Sequence, residues 1–329
     1  MFDIICYGTI CQDRIMRIMH FPALGSSTWI QDDRLTVGGE AANSCMALNA
    51  WGMRTLLLGT VLGRDERAEW LLERLGELEH VDISRLICSH QAQTPYCNIF
   101  ATPDGERTMF GRHFDIMRGQ PVEELPACRV FTLDPYCREM AIKAAVAARD
   151  AGFTIVAMDA LRRPEIAACA DLIVTSYQEA NPKASDDELT DMACAAAQEH
   201  EADVVITLGA RGSLAAGPGG RIIHRQSAVR VEQPVDATGC GDVYRAGLAA
   251  GVAMGWDLPR SMAFASAAAA LNLLGMGGGG CALSLDETLA VAESGEIPAR
   301  LLTSSSSSEE QASRASSPAP RLPRSLEGE

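Results

Sequence analysis

Three common devices for holding a phosphate, a metal or a cross-link are missing from this sequence. No Gly-x-x-x-x-Gly-Lys-Ser/Thr run occurs, which excludes the lysine-bearing phosphate loop. The 11 cysteines contain no Cys-x-x-Cys pair and join no histidine at zinc spacing. An odd count without a framework predicts reduced thiols in a cytoplasmic protein, most of them small core residues. Long apolar runs are also lacking. The longest, such as residues 267–274, fall short of a membrane span. No basic stretch precedes the apolar residues at the N-terminus, so no signal peptide is expected. Basic charge is in deficit as well: 28 Lys and Arg stand against 43 Asp and Glu, a net −15. That balance argues against nucleic acid or a membrane surface as partner. An anionic substrate must then be held by local dipoles.

What is present is a chain of 329 residues, 47% hydrophobic, enough for one large α/β domain or two small ones. Residues 3–8 read as a buried strand ending at Gly8, and 14–37 as short extended segments punctuated by Pro22 and Gly25. A diglycine, Gly38-Gly39, opens a helix that Gly52 stops. Residues 56–58 form a second buried strand, and 68–78 an amphipathic helix. Between 94 and 108, two extended runs flank Pro103-Asp104-Gly105, a strong turn. Arg107, Arg112 and His113 there fit solvated charges protecting an edge strand. Strands at 130–133, 153–159, 171–175 and 204–207 then alternate with helices at 139–151 and 191–200. That order argues for a parallel sheet with helices on both faces. Residues 261–275 read as an Ala-rich helix. Residues 301–329 are rich in Ser, Pro and Glu and are expected to be a disordered tail.

Chemistry concentrates in Val235-Asp236-Ala237-Thr238-Gly239-Cys240-Gly241-Asp242, followed by an Ala-rich helix through Ala253. A glycine turn opening a helix leaves several N–H groups unpaired at the positive end of the dipole, which is an anion cradle. Asp242 lies in the first turn. A carboxylate there repels an anion, so its placement suits removal of a proton from a hydroxyl attacking a phosphoryl group. The same residues also fit a tight strand-to-helix turn with an ordinary N-terminal helix acid.

Asp236-x-Thr238-Gly239-x-Gly241-Asp242 resembles the C-terminal signature of the ribokinase/PfkB family of carbohydrate kinases. Cys240 replaces the family's common Ala, and Val243-Tyr244 its usual Ala-Phe. Gly38-Gly39-x-x-x-Asn43 resembles the N-terminal signature, some two hundred residues upstream. Residues 56–65 and Asp104-Gly105-Glu106-Arg107-Thr108 resemble two further family segments. Gly39-x-Ala41-x-Asn43-Ser44-Cys45 is similar to ketohexokinases, although Glu40 departs from the Asn that those offer to the sugar.

The resemblance implies an α/β, three-layer, doubly wound and mostly parallel sheet over residues 1–300, with a small β lid at about 14–37 and 94–111. It implies transfer of the ATP γ-phosphate to a hydroxyl, most simply a primary one, of a small carbohydrate such as ribose or fructose. Asp242 would be the base, and the amides of Gly239, Cys240 and Gly241 would hold the phosphoryl group. Asp13, Gly38, Gly39 and Asn43 would bind the sugar. Thr207, Gly209 and Gly212, with Gly277, would border the nucleotide. The Gly-rich run 275–280 follows a helix instead of a strand, so no dinucleotide fold is read there. Ser176-x-x-Glu179 falls where the family has Asn-x-x-Glu, implying that Glu179 places Mg2+ through water; the pair also fits a helix cap. Asp236 and Thr238 match part of a monovalent-cation site, for K+ in several members. The lid implies a surface for a homodimer. A nucleoside kinase of the same family and a non-catalytic sugar-binding regulator are the alternatives.

Overall fold

The computed structural model describes residues 1–103, 107–279 and 283–303. In chain order it opens with β1 (Ile4–Gly8), β2 (Cys11–Ile18), β3 (Ile30–Gly38) and α1 (Glu40–Ala50). Next come β4 (Thr55–Gly59), β5 (Leu62–Gly63), α2 (Glu66–Gly76), β6 (Val81–Asp82), β7 (Cys88–Ser89), β8 (Tyr96–Ala101) and β9 (Arg107–Arg112). The second half runs β10 (Val130–Leu133), α3 (Glu139–Asp150), β11 (Thr154–Met158), α4 (Pro164–Ala167), β12 (Leu172–Ser176), α5 (Tyr177–Ala180) and α6 (Asp186–His200). Then follow β13 (Asp203–Thr207), β14 (Ser213–Gly217), β15 (Arg221–Gln226), α7 (Cys240–Ala253), α8 (Leu258–Asn272), α9 (Leu285–Ser294) and α10 (Ala299–Thr303).

The large sheet has the order β15-β14-β13-β12-β11-β10-β1-β4-β6. From β13 to β6 all pairs are parallel, and β14 and β15 add an antiparallel edge. The central strands are apolar on both faces because both faces are covered. Alternation along each strand sorts them. Ile4, Cys6, Leu57, Val130 and Val156 face the core shared with α1, α7 and α8. Ile5, Tyr7, Leu56, Phe131 and Ile155 face the core shared with α3 and α6. Three layers result, as the alternation of strands and helices implied.

The smaller sheet, β3-β2-β8-β9, rises from the carboxyl end of β1. It is the expected lid, with different bounds: β2 and β3 are two long strands, and residues 19–29 between them form no strand. Arg107 and Arg112 lie on its edge strand β9, which is exposed along its whole length, as edge charges should be. The turn expected at 103–105 lies, from 104, outside the described residues. So does the expected tail from 304 onward, while 299–303 close the described chain as α10.

Two helix starts differ from the sequence reading for a local reason. Helix α6 begins at Asp186 rather than 191. Ser185 Oγ accepts from Glu188 N at 3.3 Å and Glu188 Oε2 accepts from Ser185 N at 2.7 Å, a complete capping box. Helix α8 begins at Leu258, three residues before 261, because Asp257 caps it by accepting from Arg260 N at 3.0 Å.

Candidate active site

The carboxyl ends of β1, β10 and β11 open onto one crevice under the lid, the place where open parallel sheets bind ligands. Helix α7 points its N-terminus into this crevice. Its cap, Gly239, has φ 73, and a Cβ there would lie 2.3 Å from Gly278 Cα. Only glycine serves such a turn. Space above Gly241 is open: an added Cβ would meet nothing nearer than Met158 Cε at 3.8 Å. The Cys240 thiol is turned away, toward Ala269 O at 3.5 Å. Burial pushes it up to about 12, so it is an inert neutral group and its amide alone faces the cradle.

Asp242, 7% exposed, accepts a hydrogen bond from Asn43 Nδ2 at 2.8 Å. The two predicted motifs therefore meet side chain to side chain. Burial raises the Asp242 carboxyl to about 6, against the opposing influence of Arg245 and Asn43, with the charges of Asp134 and Asp159 adding to the rise. Asn43 Oδ1 is buried, an acceptor with no partner among the described residues.

Asp13, on β2, is 5% exposed and accepts from Cys11 Sγ at 3.3 Å. Burial raises it to about 7, opposed by that hydrogen bond and helped by the charges of Asp242 and Asp236. Its carboxylate rests on Gly38, where an added Cβ would fall 2.1 Å from Asp13 Oδ2. At Gly39, φ is 96 and a Cβ would lie 2.4 Å from Thr9 O. The diglycine thus lets α1 start against both β2 and the end of β1.

The remaining sequence-predicted residues divide. Gly277 N donates to Asp236 Oδ2 at 3.0 Å, so its loop is tied to the start of the cradle. Asp236 Oδ1 accepts from Thr238 N and Oγ1, at 2.9 and 2.7 Å. Asp236 and Thr238 stand together, with the Asp236 carboxylate already bonded through both oxygens. Thr207 ends β13, and Gly209 lies open in the following turn, while Gly212 packs on β15, a Cβ there falling 2.0 Å from Gln226 O. Ser176 caps α5, accepting from Glu179 N at 3.2 Å, which matches the capping arrangement. The Glu179 carboxylate is exposed and makes no hydrogen bond or ion pair among the described residues.

Several groups in the crevice were not singled out from sequence. Asp134 follows β10 and accepts from Thr9 N at 2.7 Å. Asp159 follows β11 and accepts from Thr175 Oγ1 at 2.7 Å and Tyr136 Oη at 3.2 Å. An acidic residue directly after a buried parallel strand was the available signal. Arg245, one turn after Asp242, is 1% exposed; its Nη2 donates to Glu40 O at 2.6 Å and Ser44 Oγ at 2.8 Å, and its Nε and Nη1 have no partner among the described residues. It is a buried cation among four carboxyls. Glu40, Asp134, Asp159 and Asp242 are all raised by burial, and the Arg245 charge opposes the rise in each.

Residues 1–284 match the pfkB family carbohydrate kinases. The chain belongs to this family. It is therefore a phosphotransferase with an alcohol acceptor, of the kind represented by ribokinases and nucleoside kinases. The pfkB chain is 25% identical over 271 residues to a nucleoside kinase of Methanocaldococcus jannaschii, covering 79% of this chain and 86% of that one. A match to an uncharacterized sugar kinase of Dictyostelium discoideum is local: 27% identity over 126 residues, 33% of this chain and 36% of that protein. Among solved structures, a putative ribokinase from Agrobacterium tumefaciens superposes with a TM-score of 0.78 at 21% identity, over 89% of this chain and 98% of that one. Arabidopsis thaliana ribokinase, solved with ribose and ATP, gives 0.73 at 19%, over 89% and 99%. At such identities the likeness establishes the fold: a large, mostly parallel sheet with helices and a smaller sheet.

Proposed function

We propose that this pfkB protein moves the γ-phosphoryl group of ATP to a primary hydroxyl of a small sugar, with Asp242 as the base. The observation that carries the reading is the Asn43–Asp242 bond. It joins the helix that opens on the diglycine to the helix that opens on the anion cradle, with the carboxylate at their meeting point. The acceptor hydroxyl lies between Asp13 and Asp242, with Gly38, Gly39 and Asn43 holding its neighbours. As the new O–P bond forms, the hydroxyl proton passes to Asp242 Oδ and the bond from Pγ to ADP breaks. The amides of Gly239, Cys240 and Gly241 hold the phosphoryl oxygens as charge spreads over them. Thr207, Gly209, Gly212 and Gly277 border the nucleotide. Bound Mg2+ would supply charge neutralisation on the phosphates, and Glu179 is the free carboxylate suited to place it through water. Asp236 and Thr238 would contribute to a K+ site behind the cradle. The compartment is the cytoplasm, in keeping with ten unbridged cysteines among the described residues.

An ADP-release screen tests this, run over neutral sugars, sugar acids, sugar phosphates and nucleosides, each with and without Mg2+ and with K+ or Na+. Turnover with a sugar, lost without Mg2+ and higher in K+, is the expected outcome. Preference for a nucleoside would replace the sugar, and binding without ADP release would replace the enzyme. A second reading from the same screen concerns the lid. A lid that closes over the acceptor excludes water, so ATP hydrolysis without acceptor should run at no more than a few per cent of the kinase rate. Comparable rates would show a site that stays wet.

The outer face of the lid carries an apolar patch beside the Arg14–Asp33 ion pair. Leu35 is 48% exposed and Phe110 56%, with Phe100 packed between Phe21 and Phe110 at ring distances of 6.3 and 5.7 Å. We assign this face to a homodimer. Sedimentation should show a dimer that Phe110→Glu converts to a monomer; a wild-type monomer at micromolar concentration would refute the assignment.

A further inference from the structure

Beside the proposed sugar site lies a cavity of about 440 Å³, lined among others by Thr9, Glu40, Tyr136, Arg138 and Arg163. Its walls differ in charge. Toward α1 and α7 it is acidic, with Glu40 in the wall and Asp134, Asp159 and Asp242 close behind. Two arginines, Arg138 and Arg163, line it as well. Arg138 stands in the segment between β10 and α3, and Arg163 in the segment between β11 and α4. Both sit at the carboxyl edge of the sheet, one strand and two strands from β1.

Several surface arginines are paired, as Arg149 is with Asp171 and Arg14 and Arg211 are with Asp33 and Asp186. Arg138 and Arg163 make no side-chain hydrogen bond or ion pair among the described residues, although Glu40 lines the same cavity and the chain carries net −15. Were they present only to balance Glu40, they would stand in contact with it. Arg138 also has φ 54, a backbone conformation that costs a non-glycine residue energy and is kept where the site fixes it. The cavity is at the small end of ligand pockets, which run from roughly 300 to 1,000 Å³.

We propose that the acceptor carries an anionic group, a carboxylate or a phosphate, which Arg138 and Arg163 bind at the end of the molecule remote from the hydroxyl that is phosphorylated. This rests on the sugar-kinase reading and narrows its substrate class. The planar guanidinium fork matches the paired oxygens of either group, and two forks converging on one cavity orient the molecule lengthwise. The hydroxyl end then meets the acidic wall, where Asp13 and Asp242 accept hydrogen bonds. Arg138 and Arg163 are positioning residues for the acceptor and take no part in the proton transfer.

The test compares fructose with gluconate, fructose 1-phosphate and fructose 6-phosphate, in the wild type and in Arg138→Ala, Arg163→Ala and Arg163→Lys. The expected result is a kcat/KM for at least one anionic acceptor above that for fructose. Each alanine variant should raise the KM for that acceptor by roughly 10- to 100-fold, the loss of one charge-assisted contact, without a matching rise in the KM for ATP. Arg163→Lys should recover part of the loss, since charge remains and the fork is gone. Gluconate and the fructose phosphates separate the two sources of the anion. Phosphorylation of fructose in preference to every anionic acceptor overturns the inference and leaves the kinase reading standing. If no acceptor is phosphorylated, the kinase reading falls and calorimetric titration decides the inference. Binding of an anionic sugar more tightly than fructose, lost in the alanine variants, sustains it, and equal or weaker binding overturns it.

Discussion

Asp242→Asn is expected to lower kcat by about 10²–10⁴-fold, the usual cost of removing a general base. The amide fills the same space at the head of α7 and can still accept from Asn43, but it cannot take the hydroxyl proton. ATP affinity should hold or rise, because a negative charge beside the γ-phosphate is removed. The wild type should also show an acid limb in kcat/KM near pH 6, where the Asp242 carboxyl titrates, and the residual activity of the variant should lack it. Stability should move the other way. A carboxyl held above its unfolded value stabilises the fold below that unfolded value and loses the contribution as pH rises through about 6. At pH 7.5 the uncharged variant should therefore melt no lower than the wild type. Near-normal turnover with a loss of about 0.3–1 kcal/mol in stability would show instead that Asp242 only complements the helix dipole.

Arg245→Met should produce the largest change in stability. Glu40, Asp134, Asp159 and Asp242 are each raised by burial and each restrained by the Arg245 charge. Methionine fills much of the volume and removes the cation, leaving a carboxyl cluster without a counter-charge. Removing one partner from a buried charged group typically costs on the order of 3–5 kcal/mol. The loss should be pH-dependent. All four carboxyls would rise further above their unfolded values, so the variant should be closest to the wild type near pH 5 and fall behind it as pH increases. Urea titrations at pH 5, 6.5 and 8 measure this. A pH-independent loss below about 1 kcal/mol would mean that Arg245 acts by packing alone.

The sequence disclosed those parts of the site that depend on backbone geometry. Gly38, Gly39 and Gly239 are glycines because a Cβ would strike backbone or Asp13, and such constraints leave a local pattern. Strand and helix order was equally legible, since the parallel strands are apolar on both faces. Asp134, Asp159 and Arg245 were not, because nothing local marks them. Each lies at the end of an ordinary strand or inside an Ala-rich helix, and its chemistry arises from burial beside groups distant in the chain. The edge strands β14 and β15 escaped notice for a related reason: Ser213–Gly217 is small and short, and its pairing comes from the register with β13.

Asn43 and Asp242 stand on α1 and α7, two helices whose apolar residues join one core, whereas Arg138 and Arg163 stand on connections that lead into helices of the opposite layer. On the proposed reading, proton transfer and recognition of the acceptor's anionic end would therefore be carried by separately packed parts of the molecule. Residues at the two connections can be exchanged without repacking the α1–α7 pair, so the range of acceptors can drift over generations of mutation while the phosphoryl chemistry is conserved. For protein engineering the same division suggests where to build a library: positions around 136–138 and 161–163, with the two helices left untouched.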